Sequence, residues 1–266
     1  MENRQIEDNQ QVRNIQSVQR AIDIINCVSN SPHELSLKEI SQSVGININT
    51  ARGLVNTLLN NAFLAKNNRT NCYSLGYQFL VKSQHIYQSR IRYIKDIAHP
   101  FMKSISKAYR VSCWLQVNFY SDIFTVDVET PESSFYTYTP RSGFRLPLHA
   151  TASGKLLVAY LPFDDRAKIV ESIVFETFTE HTIRNKEAFY KAIDQIRQLG
   201  YATEREELDP AVSSVAAPFF SEKDTFAGTV SLTGAAATIS SIYKKAAVDL
   251  LKITDGITSQ LTLGRL

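Results

Sequence analysis

The segment over residues 37–75 constrains this chain most, because it combines two short amphipathic helices with a polar hairpin. Apolar side chains at helical spacing predict a first helix over 37–44. They are Leu37, Ile40 and Val44. Ser36 and Glu39 have the spacing of a capping box at the start of this helix. Gly45 predicts its end, since glycine adopts the left-handed backbone of a tight turn without strain.

A second helix is predicted from about Asn47 to Asn60, directly after the glycine turn. Its inward positions are Ala51, Leu54, Val55, Leu58 and Leu59. Its outward positions are polar, at Asn47, Asn49, Thr50, Arg52 and Asn56. This order of helix, turn and polar-fronted helix is typical of the helix-turn-helix, whose second helix enters the major groove of DNA. A generic helical hairpin is the alternative.

Two strand-like runs follow, Phe63–Lys66 and Cys72–Leu75, on either side of the polar tip Asn67–Asn71. They predict a two-stranded wing, whose basic side chains Lys66 and Arg69 would contact the phosphate backbone. The first ninety residues carry nine basic and six acidic side chains, a net of +3, while the remainder carries twenty of each. The positive excess therefore lies in the N-terminal part, as a DNA-binding module requires.

Length and composition describe an ordinary soluble protein with room for two domains: 266 residues, 44% hydrophobic and 21% charged. No apolar run approaches the roughly twenty residues that cross a membrane. The polar N-terminus lacks the apolar segment of a signal peptide, and residues 1–14 are expected to form a disordered tail. The widely spaced Cys27, Cys72 and Cys113 predict reduced thiols and a cytoplasmic location.

Helical periodicity predicts a first helix over 18–28, capped by Ser17. Its apolar stripe is Val18, Ala21, Ile22, Ile25 and Val28. A linking helix is expected over 76–89, and Pro100 should kink or divide the long helix that begins near residue 91.

Beyond residue 110 the pattern predicts a mixed α/β domain of the compact, sensor-like kind. Strands are predicted over 111–117, 123–128, 212–219 and 226–233. Helices are predicted over 152–161, 164–173, 185–199 and 239–261, and an extended run over 145–149.

Motifs for catalysis or metal binding fail on closer reading. Ser153-Gly-Lys155 resembles a phosphate loop but lacks the preceding glycine and the following Ser or Thr. The Ser-x-x-Lys pairs at Ser104 and Ser241 lack the companion motifs of acyl-transfer enzymes. The histidines and cysteines lack metal-ligand spacing. The acidic run of Glu204, Glu206, Glu207 and Asp209 is interpreted as a solvated loop, of which one member could line a polar pocket. We expect no catalytic residue, metal or cofactor.

One chemical constellation survives, the stretch 146–155, which passes from extended chain straight into a helix. The first turn of that helix leaves backbone N–H groups unpaired near Ala152 and Ser153, and such a terminus attracts carboxylates and other anions. The alternative, favoured by the residues alone, is that Thr151 merely caps a structural helix.

Motifs in matching order and spacing then run through most of the chain. They are Ser17-Val-Gln-Arg-Ala21, Leu37-x-x-Ile40-Ser, Val44-Gly45, Thr50, Tyr73-Ser-Leu-Gly76, Leu146-Pro-Leu-His-Ala-Thr-Ala-Ser-Gly-Lys155, Gly200-Tyr-Ala202, Glu207, Ala216-Ala-Pro218 and Val230-Ser-Leu-Thr-Gly234. From about Ile15 to Leu261 the chain resembles the IclR-type bacterial transcriptional regulators. The resemblance implies an α+β protein with a winged helix-turn-helix domain over 15–76, a linker helix over 77–90 and a GAF-like α/β effector-binding domain over 91–266.

The resemblance also implies a homodimer or a dimer of dimers, which controls an operon in response to a small molecule, often a carboxylic acid. Its effector pocket maps onto Leu146, Ala152, Ser153, Glu204, Ser214, Ser231 and Thr233. The chain departs from the family pattern in four places. Gly53 stands where an arginine is common, Ala211 replaces a glycine, Ser214 a cysteine and Glu204 an aspartate. The last two changes indicate a polar effector.

We therefore expect a ligand-responsive transcriptional regulator, with a repressor as the default, that binds a double-stranded operator. The residues expected to contact DNA are Ser36, Asn47, Asn49, Thr50, Arg52, Asn56, Lys66 and Arg69. Two alternatives stay open at this point: a small hydrolase or acyltransferase fused to a helical adaptor, and a constitutive DNA-binding protein with a vestigial pocket.

Overall fold

A computed structural model describes residues 14–86, 91–132, 146–221 and 225–263. The predicted N-terminal tail lies outside these residues except for its last position, Asn14. The chain divides into two compact units, with the boundary between residues 87 and 88. Each unit is described by itself.

The N-terminal unit contains four helices and one hairpin within the described residues. They are α1 (Gln16–Asn30), α2 (Leu37–Val44), α3 (Ile48–Asn60), β1 (Leu64–Lys66), β2 (Tyr73–Leu75) and α4 (Gln78–Ile86). β1 and β2 are antiparallel, with Leu64 opposite Leu75, and Leu35 forms an isolated bridge to Tyr73. The predicted helix pair and two-stranded wing are thus present.

The core of this unit is formed by the inner faces of α1, α2 and α3 together with residues of the hairpin and of the bridge to it. Its buried members are Ile24, Val28, Leu35, Ile40, Val55, Leu58, Leu64 and Tyr73. The predicted stripe of α1 is partly wrong, because Ile24 is fully buried whereas Val18 and Ile22 are exposed. The predicted cap is also wrong: α1 begins one residue before Ser17, and no side chain caps it.

The C-terminal unit contains five helices and five strands within the described residues. Its elements are α5 (Arg92–Tyr109), β3 (Ser112–Phe119), β4 (Asp122–Glu129), α6 (Ala152–Tyr160), α7 (Phe163–Ser172), α8 (Lys186–Leu199), β5 (Ala202–Arg205), β6 (Val212–Phe220), β7 (Phe226–Ala235) and α9 (Ala236–Leu263). The five strands form one antiparallel sheet in the order β4-β3-β7-β6-β5.

The sheet is covered on both faces by helices. α5 and α9 pack on one face, over alternate strand residues such as Leu115, Val230 and Leu232. α6 packs on the other face, with α8 against it, over Ile123 and Ala216. Because side chains alternate between the faces of a strand, each strand contributes to both layers.

Three predictions about this unit need correction. Glu204, the first residue of the acidic run interpreted as a solvated loop, lies instead in the edge strand β5, which pairs with β6. The run over 145–149 is not extended where it is described, because the Pro147 carbonyl accepts from the N–H of Ala150 at 3.3 Å and closes a turn. α5 continues through Pro100, so no new segment starts there. Within the described ranges, no helix combines the length and apolar character needed to cross a lipid bilayer.

Candidate DNA-reading surface and effector site

Helix α2 is capped at both of its ends. The Ser36 hydroxyl accepts from the N–H of Glu39 at 3.3 Å, and the Glu39 carboxylate accepts from the N–H of Ser36 at 2.7 Å. The Ser36 hydroxyl also donates to the Glu39 carboxylate at 2.7 Å, and this bond, together with that from the Ser36 N–H, holds the pKa of Glu39 below its usual range. Gly45 ends α2 with a φ of 68°, which glycine adopts without strain. Ser36, expected at the DNA, therefore uses its side chain within the cap.

The outward face of α3 carries Asn49, Arg52 and Asn56, all exposed and spaced three and four residues apart. They share one side of the helix, opposite the buried Ala51, Val55 and Leu58. Asn47 has a different position, because it is the N-cap residue and its Oδ1 accepts from the N–H of Thr50 at 2.8 Å. Gly53 is exposed, and a Cβ there would meet nothing within 4 Å.

The tip of the wing is anchored by a residue that precedes α2. Glu34 Oε2 accepts from the Asn67 side-chain amide at 2.9 Å and from the Thr70 hydroxyl at 3.1 Å. Asn67 Oδ1 in turn accepts from the N–H of Arg69 at 3.0 Å. The exposed Arg69 and Lys66 are thus presented from an ordered hairpin, and sequence analysis missed the part that Glu34 plays.

In the C-terminal unit, one face of the sheet is lined by hydroxyl groups. Thr229, Ser231 and Thr233 alternate along β7 and are all buried. Thr233 lies opposite Ser214 on β6, and Ser214 lies opposite Glu204 on β5. Directly opposed residues share a face, so the register places Glu204, Ser214 and Thr233 side by side.

A second set of buried contacts joins this face to α6. The Thr229 hydroxyl lies 2.8 Å from the Ser153 hydroxyl and 2.9 Å from Gln116 Oε1. Gln116 also donates through Nε2 to the Ser231 hydroxyl at 3.3 Å. Gln116 and Thr229 were not among the residues predicted from the sequence. Their signal was a polar residue inside an apolar run and, for Thr229, a spacing of two from Ser231.

The start of α6 contains the structural cap that one of the two alternatives expected. Thr151 Oγ1 accepts from the N–H of Gly154 at 3.1 Å and donates to the Pro147 carbonyl at 3.0 Å, so Thr151 is a true cap. The cap uses neither of the N–H groups of Ala152 and Ser153. A Cβ on Gly154 would lie 2.6 Å from the Leu148 Cα, so only glycine permits this close turn. Leu146 and Ala152 belong to the apolar cluster beneath the helix.

Two carboxylates and one lysine meet beside this face. Lys155 Nζ donates to Glu207 Oε1 at 2.6 Å, with both side chains almost fully buried. Glu204 Oε1 accepts from the N–H of Glu207 at 2.6 Å, and Glu204 Oε2 accepts from the Ser214 hydroxyl at 3.3 Å. Burial, and secondarily the neighbouring carboxylate of Glu207, raises the pKa of Glu204 to about 7. Lys155 is the third group of the cluster and acts in the opposite direction.

The structure therefore brings the predicted effector residues together in two adjoining groups. Ser153 and Ser231 are linked through Thr229 and Gln116, and Glu204, Ser214 and Thr233 are neighbours in register. No cluster of His, Cys, Asp or Glu suited to a metal ion occurs among the described residues. His149 is buried between the rings of Phe175 and Phe178, and its Nε2 lies 2.9 Å from the Glu176 carbonyl.

Comparison with protein families decides the identity. Residues 87–256 match the model described as bacterial transcriptional regulator IclR C-terminal, and residues 17–67 match the IclR helix-turn-helix domain. The chain belongs to the IclR family of bacterial transcriptional regulators. This IclR-family member thus combines a DNA-binding helix-turn-helix domain with an effector-binding domain, as its sequence resemblance implied.

Curated relatives cover most of the IclR-family chain. It is 29% identical over 219 residues to the HTH-type transcriptional regulator XynR of Escherichia coli, covering 82% of this chain and 86% of that protein. It is also 29% identical over 231 residues to the glycerol operon regulatory protein of Streptomyces coelicolor, covering 84% and 86%. Among solved structures, an IclR homologue from Microbacterium hydrocarbonoxydans complexed with 4-hydroxybenzoate has the same fold, with a TM-score of 0.73 at 16% identity over 92% and 98% of the two chains.

Proposed function

We propose that this regulator represses an operon and that a small organic acid relieves or modifies the repression. The observation that carries the DNA-binding half is the exposed row of Asn49, Arg52 and Asn56 on a helix whose opposite face is fully packed. Such a helix can enter the major groove while its buried face stays packed against the rest of the N-terminal unit. Arginine pairs bidentately with guanine and asparagine with adenine, at about 1–3 kcal/mol of discrimination each.

For the wider DNA contact we propose the full set expected from the sequence, with roles adjusted to the geometry. The set is Ser36, Asn47, Asn49, Thr50, Arg52, Asn56, Lys66 and Arg69. Ser36 and Asn47 use their side-chain oxygens as caps, so they would contribute through helix placement or, for Asn47, through the free amide N–H groups. Lys66 and Arg69 would contact phosphates and add affinity with little sequence dependence.

A gel-shift titration on DNA upstream of the gene tests this assignment. Arg69→Ala should weaken binding to operator and random DNA by similar factors and reduce the slope of log K against log salt by about one. Arg52→Ala should mainly reduce the preference for the operator. Arg184→Ala, an exposed arginine of the C-terminal unit, serves as the control and should leave both unchanged. If the wild type shows no preference for any upstream fragment over random DNA, the proposed function is wrong.

For the effector site we propose Leu146, Ala152, Ser153, Glu204, Ser214, Ser231 and Thr233. The start of α6 would receive a carboxylate through the N–H groups of Ala152 and Ser153, because helix N-termini carry partial positive charge. The 4-hydroxybenzoate in the Microbacterium homologue, an aromatic acid with a hydroxyl group, supports an acidic ligand. The hydroxyl groups along β7 indicate that the ligand also carries polar groups.

A thermal-shift panel of small organic acids tests the effector site, since a ligand that binds only the folded protein raises its stability. A hit should lose its effect in Ser231→Ala and should change the gel shift on the operator. Chemical turnover of a hit would favour the rival of an enzyme fused to a DNA-binding unit. We propose that the protein has no such activity. A panel without hits would favour a vestigial pocket and constitutive DNA binding.

We further propose a homodimer, which can pair into a dimer of dimers, acting in the cytoplasm. Ile15, Val18 and Ile22 form an exposed apolar row along α1 at spacings of three and four residues, and the exposed Leu80 and Val81 add apolar surface on α4. A second copy covering such surface would account for it. We also propose the domain limits 15–76, 77–90 and 91–266. Sedimentation equilibrium of wild type against Val18→Glu tests the dimer.

A further inference from the structure

A pocket lies on the face of the sheet opposite the hydroxyl-lined one. It has a volume of about 280 Å³ and is bounded by β5, β6 and the first turns of α9. Its polar lining includes Thr203, Arg205, Ser213, Ser240 and Tyr243. Of the proposed effector residues, Ser214 also borders this pocket, while the register directs most of that set to the other face. Arg205 lies opposite Ser213, and the next pair along, Glu204 and Ser214, points its side chains to the other face.

Arg205 is the charged group that gives this pocket its chemistry. Its guanidinium stacks on the ring of Tyr243, with Cζ 4.8 Å from the ring centroid. Stacking fixes the plane of the guanidinium and leaves its N–H groups free at the edge. Among the described residues Arg205 forms no ion pair, although a planar, preset guanidinium is well suited to hold a carboxylate or a phosphate.

A buried hydroxyl points to a ligand independently of the arginine. Ser213 is 4% exposed, lines the pocket, and its hydroxyl makes no hydrogen bond to any other described residue. The oxygen itself is accessible from the pocket, so a ligand in the pocket can accept a hydrogen bond from this hydroxyl. Glu206 also lines the pocket, but its Oε1 accepts from the N–H of Ala211 at 3.0 Å, which ties that carboxylate to the hairpin.

We propose that this pocket is a second ligand site, which binds a small oxyanion, a carboxylate or a phosphate group, between Arg205 and Ser213. Arg205 holds the anion with its edge N–H groups, and the Ser213 hydroxyl supplies a further donor. The start of α9 borders the same space at Ala236 and Ala237 and adds favourable partial charge. Apart from Ser214, which borders both, the site uses none of the proposed effector residues, and it does not depend on that assignment.

An anion bound in this pocket would affect the proposed effector residues through a single strand, β5. Arg205 and Glu204 are consecutive residues of β5, with their side chains on opposite faces of the sheet. An anion that fixes Arg205 therefore restrains the backbone that positions Glu204. Coupling of this kind requires that the anion bind the two states of the strand with different affinity.

The test titrates inorganic phosphate and, separately, malonate into the full-length protein, with chloride keeping the ionic strength constant. The melting temperature and the hydrogen exchange of β5 and α9 are followed. A saturable response to either anion is expected, and the anion that gives it identifies the headgroup. Arg205→Gln should weaken the response at least tenfold, which corresponds to about 1.4 kcal/mol. Ser213→Ala should weaken it severalfold.

Matched variants separate the pocket from general ion effects. Tyr243→Phe keeps the ring and should retain binding, whereas Tyr243→Ala should weaken it, and Arg184→Gln should have no effect. Arg205→Lys keeps the charge and should retain part of the response if Arg205→Gln proves poorly folded. The proposal is overturned if neither anion gives a saturable response, or if Arg205→Gln responds like the wild type. It is also overturned if Ser231→Ala, rather than Arg205→Gln, abolishes the response, because the anion then sits at the effector residues.

Discussion

Lys155 on α6 and Glu207, beyond β5, form an ion pair with 2.6 Å between Nζ and Oε1, and their side chains are 4% and 11% exposed. Among the described residues, the second oxygen of Glu207 has no hydrogen-bond partner. Removing either charge alone therefore leaves its partner buried without compensation. The pair holds the edge strand to the helix whose first turn borders the proposed effector site.

Lys155→Met should lower the free energy of unfolding by about 3–5 kcal/mol, because breaking a buried pair leaves an uncompensated charge. The double change Lys155→Met with Glu207→Gln should recover part of this loss. Urea unfolding measures both. The control is Lys191→Met, which breaks an exposed pair with Glu187 whose side chains are 73% and 81% exposed. That change should cost less than about 0.5 kcal/mol. Equal losses in the free energy of unfolding for Lys155→Met and Lys191→Met would contradict the assignment of Lys155 and Glu207 as a buried pair.

The raised pKa of Glu204 predicts a dependence of stability on pH. Burial first, and then the Glu207 carboxylate, shifts this pKa from 4.5 to about 7. The folded protein therefore keeps a proton that the unfolded chain loses. Protonated Glu204 stabilises the folded protein by about 3 kcal/mol below about pH 4.5. This contribution disappears as the pH rises to 7.

Glu204→Gln should remove this slope between pH 4.5 and 7, because glutamine cannot ionise. Urea unfolding of both proteins across that range gives the difference. The comparison isolates Glu204, since groups elsewhere contribute equally to the two proteins. Parallel curves for the wild type and the variant would show that Glu204 is ionised in the folded state.

Asn47→Asp separates capping from DNA contact. Aspartate keeps the acceptor that bonds the N–H of Thr50 and is as good a helix cap, so unfolding should change by less than about 0.5 kcal/mol. The added negative charge and the lost amide N–H groups should weaken operator binding at least tenfold. Asn47→Ala should instead cost about 1 kcal/mol of stability. Unchanged operator affinity in Asn47→Asp would place Asn47 away from the DNA.

Gly53→Arg should raise both the stability of α3 and the affinity of the protein for DNA. A Cβ at Gly53 meets nothing within 4 Å, and replacing glycine inside a helix gains about 0.5–1 kcal/mol. The new charge should raise affinity and steepen the salt dependence by about one counterion. Gly53→Ala is the matched control, which should gain the stability without the charge effect. Fluorescence anisotropy at several salt concentrations measures the slope.

The N-terminal unit follows from sequence because its signals are local. A capping box, a glycine at the end of α2 and helical spacing each act within a few residues, and the structure has all three. The buried face of α1 was harder. Val18 and Ile22 repeat at helical spacing as regularly as the buried Ile24 and Val28 do, and only packing decides which stripe faces inward.

In the C-terminal unit the missed features depend on distant partners. β5 contains Glu204 and is followed by Glu207, which together read as a solvated acidic loop. The strand is buried there because Lys155 supplies a countercharge from 52 residues away. Gln116 and Thr229 are 113 residues apart and are joined only by the pairing of β3 with β7. Periodicity along one segment contains no information of that kind.

The hydrogen bonds among Ser153, Thr229, Gln116 and Ser231 have a consequence for affinity. A visiting molecule that binds these groups exchanges satisfied bonds for new ones, so matching polar atoms alone yields little net free energy. Tight binding must come from the release of ordered water, from the burial of apolar surface or from an uncompensated charge. If the proposed effector binds there, close analogues should be rejected strongly, since a ligand that breaks one of these hydrogen bonds without replacing it leaves a buried donor unpaired.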